Sequence, residues 1–185
     1  ANEVALCYVL SKKSGCPVKC LVDYTEELIA GNPRHGATIK IKTGVKKNGL
    51  LIAQQMEYIF DSGAYGAYRP QGFLVGAHEA SGPYRIPNTH IEEKYVYTNK
   101  FPCGYMRAPG HPQGSFASES QANIVARKLG IDPAEYRRMN FMQDGDHFPV
   151  GESIAHVKAA ETLKQALEES GYQATKAKNV GRGCA

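Results

Sequence analysis

The strongest constraint on the fold is the alternation of side chains over residues 37–60. In its first half, Ile39, Ile41, Thr43 and Val45 alternate with Thr38, Lys40 and Lys42. In its second half, one face would carry Ile52, Met56, Tyr58 and Phe60. Asn48 and Gly49 lie between the halves and supply the positive φ of a tight turn. The pattern predicts an antiparallel β-hairpin.

The remaining segments predict helices and strands without regular β-α-β alternation. Helices are expected over residues 3–14, 25–30, 73–80, 115–129 and 155–170, and strands over 18–22 and 91–98. The first helix is apolar on nearly every side from Val4 to Leu10, so we expect it to be buried. Another helix should open with Asp132 as N-cap, Pro133 as first residue and Glu135 as reciprocal cap. The sum is an α+β fold with a mixed, largely antiparallel sheet and packed helices.

Composition excludes several classes of protein. The net charge of +4 is small and its lysines and arginines are scattered, which argues against nucleic-acid binding. An apolar run long enough to cross a membrane is not present, and neither is a secretory leader. The five cysteines form neither a disulfide framework nor a zinc motif, so a reducing, cytoplasmic compartment is expected. The six histidines are too dispersed to predict a metal site within this chain.

The most informative local stretch is residues 102–114, which precede a predicted helix. Gly110 and Gly114 leave backbone N–H groups uncovered, and the helix N-terminus adds partial positive charge. Arg107 adds a planar, permanently charged guanidinium. These features favour contact with an anion or a cofactor. A structural loop rich in proline and glycine, with Arg107 in a purely structural role, is an equal alternative on the residues alone.

Three ordered segments resemble the xanthine dehydrogenase family of molybdenum hydroxylases, in its large, cofactor-binding subunit. The first is residues 15–19 (Gly-Cys-Pro-Val-Lys) with the acidic turn after them and Arg34-His35. The second is residues 82–88 (Gly-Pro-Tyr-Arg-Ile-Pro-Asn) with residues 97–99. The third runs from Met106 through residues 129–133 to residues 137–140. The resemblance covers about residues 4–145.

The resemblance implies a molybdenum-cofactor-binding domain and a specific loop within it. The loop equivalent to residues 106–110 lies against the molybdenum centre in that family. The implied cofactor-binding residues are therefore Met106, Arg107, Ala108, Pro109 and Gly110. The implied cofactor is a molybdenum-pterin group, with or without a nucleotide. The implied reaction is hydroxylation of an electron-poor C–H carbon with water as the oxygen source.

Two departures from the family's purine enzymes bear on the substrate. Pro109 stands where those enzymes place an aromatic side chain that stacks on the purine. Residues 74–76 read Leu-Val-Gly, where those enzymes carry an arginine. Both departures point to a non-purine N-heterocycle, an aldehyde or a similar small molecule. Cys103 lies outside the loop proper, so the cysteine of the carbon monoxide branch is not assigned to it.

The resemblance also implies that essential parts lie elsewhere. A glycine-rich cofactor loop and the glutamate that serves as general base are both missing from these residues, so we assign no catalytic residue and no metal ligand here. We expect residues 1–185 to form one partial domain, with a C-terminal helix and the start of another element in 146–185. Expected partners are the rest of the molybdenum subunit, an iron–sulfur subunit and an FAD subunit. A non-catalytic binding module on this scaffold, or an unrelated enzyme using its own His and Asp residues, are the alternatives.

Overall fold

The computed structural model describes residues 2–65 and 81–184 of the chain. Within those ranges the elements are α1 (Asn2–Ser14), α2 (Tyr24–Ala30), β1 (Gly36–Val45), β2 (Leu51–Gly63), β3 (Thr89–Tyr97), α3 (His111–Leu129), α4 (Pro133–Asn140) and α5 (Ala159–Glu169). The helix expected over residues 73–80 lies outside the described residues. The α+β class is confirmed.

The three strands form one sheet in the order β1-β2-β3. β1 and β2 are antiparallel, with Ile41 opposite Met56, which confirms the predicted hairpin. β2 and β3 are parallel, with Met56 opposite Ile91. The mixed sheet is confirmed: one of its two strand pairs is antiparallel and the other is parallel. The long connection through residues 64–88 permits the parallel pair, because parallel neighbours need a crossover rather than a tight turn.

The hairpin connection is longer than the tight turn that the sequence predicts. The chain reverses over residues 46–50, with Lys46 N–H donating to Leu50 O at 2.9 Å and Gly49 at φ 93°. The register then shifts: Gly44 lies opposite Ala53 and Val45 lies opposite Leu51, so Ile52 is an extra residue in β2. This one-residue shift exchanges the faces at the start of β2. Leu51 is buried and Ile52 is exposed, so the predicted placement of Ile52 with Met56, Tyr58 and Phe60 is wrong.

Helices α3 and α4 pack around an apolar cluster with a buried ion pair at its edge. The cluster comprises Leu51, Tyr84, Ala122, Val125, Ala126 and Tyr136. The Arg137 guanidinium donates to Glu119 Oε2 at 2.6 Å, and Tyr84 Oη donates to Glu119 Oε1 at 2.8 Å. Asn140 accepts from Leu51 N–H and donates to Gly49 O, which joins α4 to the hairpin.

The N-terminal segment departs most from expectation. Helix α1 forms and ends before Gly15, as predicted, but it is not buried: Val4 is 75% exposed and Leu6 is 57% exposed. An apolar helix is buried only if other elements pack against it, and no described element covers these side chains. Residues 18–22 form no strand, because they find no strand partner among the described residues. Helix α2 forms as predicted, with Asp23 and Glu26 as a capping box.

Two helix predictions in the C-terminal half need correction. Asp132 does cap α4, accepting from the N–H groups of Ala134 and Glu135, and Pro133 begins it. The Glu135 side chain is not a reciprocal cap, because its carboxylate instead binds the Arg138 guanidinium at 2.6 and 2.7 Å. Helix α5 begins at Ala159 rather than at residue 155, and Leu163 and Leu167 share its half-buried face.

Candidate functional site

The stretch from 101 to 110 is an irregular loop that leads directly into α3. The helix begins at His111, four residues before the predicted start, because Pro112 is compatible with a first helical turn. Gly110, at φ 85°, precedes the helix and provides no side-chain cap. The partial positive charge of the helix N-terminus is therefore not neutralised by a capping side chain. The loop predicted to extend to Gly114 ends at Gly110.

The predicted cofactor-binding residues lie together at this helix N-terminus. Met106, Arg107 and Ala108 are exposed, Pro109 is half-buried and Gly110 is buried. Ala108 adopts a left-handed conformation with φ 49°, which non-glycine residues rarely do. His111 N–H donates to Ala108 O at 3.2 Å and closes the turn. The loop thus presents an arginine and backbone groups to its outer side.

Residues 31–35, between α2 and β1, hold the loop in place by hydrogen bonds. Asn32 Nδ2 donates to Pro102 O at 2.9 Å, and Gly104 N–H donates to Pro33 O at 3.0 Å. Arg34 donates to the carbonyls of Arg107 and Ala108 at 2.9 and 3.2 Å. Arg34 belongs to a segment that carries the family resemblance, but the sequence did not place it in the site. The two side chains lie 70 and 73 residues from their partners in the chain, so no local pattern could identify these contacts.

The end of β2 supplies a second anchor. Cys103 N–H donates to Ser62 O at 3.1 Å. Asp61 accepts from Lys100 Nζ, from Thr98 Oγ1 and from Gly63 N–H, and these contacts lower the pKa of Asp61 to about 2. Asp61 is therefore ionised and fixes the turn that follows β3. The sequence gives no local sign of this role either.

Cys103 is a buried part of this anchor rather than a reactive thiol. Burial, reinforced by the charge of Asp61, raises the pKa of the Cys103 thiol. A raised pKa keeps the thiol protonated at neutral pH, whereas metal ligation and nucleophilic attack require the thiolate.

Two buried polar side chains adjoin the first turn of α3. Gln113 Nε2 donates to the backbone oxygen of His35 at 2.7 Å. Among the described residues, His35 Nε2 and Gln113 Oε1 find no hydrogen-bond partner although both atoms are buried. Burial lowers the pKa of His35, against the opposing charge of Asp61. A neutral imidazole and an amide with free hydrogen-bonding capacity fit contact with a polar group, since buried polar atoms normally have partners.

The described residues contain no cluster of three or more His, Cys, Asp or Glu side chains that could hold a metal ion. Helices long and apolar enough to cross a membrane are likewise not found in the described ranges. The donors at the loop are a guanidinium, backbone N–H groups and a helix N-terminus, which suit an anionic, oxygen-rich group. Fold and loop together define an α+β domain that displays a cationic loop at the start of a helix.

The comparisons with known proteins name that domain. Residues 1–141 match the family described as "Molybdopterin cofactor-binding domain". The chain belongs to this family, whose cofactor is molybdopterin. The nicotinate dehydrogenase large molybdopterin subunit of Eubacterium barkeri is 35% identical over 92% of the chain and 41% of its own length. The xanthine dehydrogenase molybdenum-binding subunit of Escherichia coli is 32% identical over 89% of the chain and 22% of its own length.

A solved structure supports the same fold. The aldehyde oxidoreductase of Desulfovibrio gigas superposes with a TM-score of 0.79 at 30% identity, over 92% of this chain and 20% of that chain. The resemblance drawn from the sequence is therefore confirmed. The chain spans between 20% and 41% of the length of these three proteins.

Proposed function

We propose that the chain is part of the molybdopterin-binding subunit of a molybdenum-dependent hydroxylase, and that residues 106–110 form one wall of its cofactor site. The observation that carries the proposal is the placement of Arg107. Arg107 is exposed and lies four residues before the start of α3, whose N-terminus has no side-chain cap, on a loop that Arg34 and Asn32 hold by hydrogen bonds. The loop and the helix that follows it thus carry two sources of positive charge within a short stretch of chain.

Each residue of the loop has a distinct role in this proposal. Arg107 binds and orients an anionic part of the cofactor. Ala108 and Gly110 allow the backbone to approach closely. Met106 and Pro109 form apolar wall on either side of the arginine. When bound, the molybdenum centre supplies the two-electron oxidation of a C–H carbon, with water as the oxygen source. The general base is a glutamate outside these 185 residues.

The substrate class in this proposal is a non-purine N-heterocycle, an aldehyde or a similar small molecule. Pro109 supports this choice, because a pyrrolidine ring lacks the π-face that would stack on a purine. Relatives named for nicotinate, xanthine and aldehyde all match the chain, so their names alone do not select the substrate. The residues 74–76 that would carry a purine-binding arginine lie outside the described residues.

The proposal further holds that residues 1–185 are a partial domain that works only with the rest of the subunit. The exposed apolar side chains of α1 and α2 support this, since an apolar surface of this kind marks a contact region. Iron–sulfur and FAD subunits would take up the electrons. The compartment would be the cytoplasm, as the cysteine content favours.

Replacing Arg107 by Ala in the full-length assembly tests the proposal. We expect at least a roughly tenfold loss of cofactor content or turnover, because a charge-assisted contact is removed. Arg127→Ala, at the exposed C-terminal end of the same helix, is the matched control and should behave as wild type. Metal and pterin analysis of the wild-type assembly is the decisive measurement. Absence of both molybdenum and pterin would favour a non-catalytic binding module instead.

A further inference from the structure

Arg34 makes an unusual pair of contacts with the candidate loop. Its Nη2 donates to Arg107 O at 2.9 Å and its Nη1 donates to Ala108 O at 3.2 Å. One guanidinium therefore binds two consecutive carbonyls of a chain segment that lies over 70 residues away. The planar fork of an arginine matches this arrangement, and its charge strengthens both hydrogen bonds.

The bound carbonyls determine how the loop faces outward. A trans peptide is planar, so its C=O and N–H groups point in opposite directions. The described residues contain no cis peptide bond. Because Arg107 O points toward Arg34, the Ala108 N–H points to the side away from Arg34. The contact therefore fixes the orientation of the peptide that directly follows the Arg107 side chain.

The conformation of Ala108 needs such a restraint. Its φ of 49° places the Cβ near the following carbonyl oxygen, which is unfavourable for residues other than glycine. Conformations of this kind persist only where the surroundings hold them. Two contacts hold the Ala108 carbonyl, namely the Arg34 guanidinium and the N–H of His111. The latter contact belongs to the turn itself, so Arg34 is the restraint from outside the turn.

We propose that Arg34 is a positioning residue, whose guanidinium fixes the peptide between Arg107 and Ala108 and so holds the loop in its cofactor-facing conformation. Arg34 acts through the backbone of the loop and contacts no reacting group. It also places a second positive charge behind Arg107, which adds to the potential at the helix N-terminus. This inference rests on the proposed function for its ligand, a molybdenum-pterin cofactor, while the contact itself belongs to the fold.

The test compares Arg34→Ala and Arg34→Lys in the full-length molybdenum assembly. Lysine keeps the charge but lacks the fork that reaches two carbonyls in one plane. The matched control is Arg138→Ala, which removes an exposed arginine that also makes two short hydrogen bonds, to Glu135. Three quantities are measured: molybdenum and pterin per protomer, kcat and KM separately, and amide hydrogen exchange in the peptide that spans residues 105–111.

We expect Arg34→Ala to exchange amide hydrogens in this peptide about tenfold faster, since two hydrogen bonds that restrain it are lost. The His111 amide, which donates to the Ala108 carbonyl, is the most direct reporter. Cofactor content should fall by a similar factor. Arg34→Lys should recover folding without recovering wild-type exchange or occupancy, and Arg138→Ala should match wild type throughout.

Wild-type exchange and wild-type occupancy in both Arg34 variants would overturn the inference. If Arg34→Ala does not assemble, Arg34→Lys alone decides by the same two measurements. Failure of the proposed function has a different signature, because the wild-type assembly itself would then lack molybdenum and pterin. The exchange measurement on that cofactor-free assembly would still show whether Arg34 holds the loop.

Discussion

Phe60 in β2 and Leu6 in α1 are both large apolar side chains, and the structure places them in opposite environments. Phe60 is 0% exposed, stacked between Tyr58 and Tyr95 at centroid distances of 5.9 and 5.6 Å. Leu6 is 57% exposed, on a helix with apolar residues on most sides. The β2 region has the partners that its side chains require within the described residues. The N-terminal helices do not, which supports the proposal that they face the rest of a longer subunit.

The largest effect should come from truncating the buried member of this pair. Phe60→Ala should lower the free energy of unfolding by about 3–5 kcal/mol, because it removes apolar contacts and leaves a cavity. Leu6→Ala should change it by less than about 0.5 kcal/mol. Urea denaturation of the 185-residue chain measures both. Equal losses of unfolding free energy in the two variants would show that α1 is as well packed as the sheet, which would contradict the difference in burial between Phe60 and Leu6.

The buried ion pair extends the contrast to charged residues. The Arg137 side chain is 2% exposed and binds Glu119, Asn123 Oδ1 and Pro133 O. Arg137→Ala should cost about 3 kcal/mol, since it leaves a partly buried carboxylate without its partner. Arg138→Ala removes an exposed pair on the same helix and should cost at most about 1 kcal/mol. If the two substitutions lower the free energy of unfolding equally in the same denaturation experiment, the burial assigned to Arg137 is contradicted.

A smaller effect should appear in the pH dependence of stability. Burial lowers the pKa of His35 in the folded chain below its ordinary value of 6.5. As the pH falls below about 6.5, the unfolded chain binds this proton before the folded chain does. The contribution of His35 is therefore complete above pH 6.5 and is lost as the pH falls through the lowered folded pKa.

His35→Gln should remove this component from a series of denaturation curves recorded at decreasing pH. The exposed His90→Gln variant is the control and should keep the wild-type slope. A slope in His35→Gln that equals the wild-type slope would show that the imidazole is solvated rather than buried beside the loop.

The smallest change in stability should follow from polar substitutions on the N-terminal helices. Replacing Leu6 and Leu28 together by Gln should alter the free energy of unfolding by less than about 1 kcal/mol, because both are exposed. The same change should reduce binding of an apolar dye and self-association in light scattering. Ile124→Gln, an exposed apolar residue on α3, is the comparison and should have a smaller effect on both.

Sequence patterns predicted the parts of the fold that depend on neighbouring residues. The alternation in β1 and β2, the Asp132 cap and the end of α3 at Gly130 are all local, and all are confirmed. The burial of α1 and the strand over residues 18–22 depended on partners elsewhere in the chain, and both predictions are wrong. Ile52 failed for a related reason, since it is itself the extra residue of a bulge in β2 opposite Gly44 and Val45.

The candidate site likewise has a part that neighbouring residues predict and a part that depends on distant contacts. Residues 106–110 remain a prediction, which the sequence could make because a contiguous motif carries the family resemblance. The parts that hold the loop in place could not be predicted, because Asn32 and Arg34 contact it across long separations in the chain. Asp61 likewise binds Lys100, directly before the loop, across 39 residues. Resemblance transfers a motif residue by residue, whereas the supporting contacts become visible only once the chain is folded.

The junction between β2 and the loop sets limits for anyone who wishes to transplant the loop. Gly63 has φ 68°, and a Cβ at this position would lie 2.1 Å from Phe101 O. Together with the hydrogen bonds to Pro102, Cys103 and Gly104, this close approach holds residues 101–104 against the end of β2 and the segment before β1. Residues 105–109 are then the segment that a loop exchange can replace. If the proposed function holds, exchanging only these residues should change ligand preference and retain the fold, whereas an exchange that includes residues 101–104 should disturb the edge of the sheet.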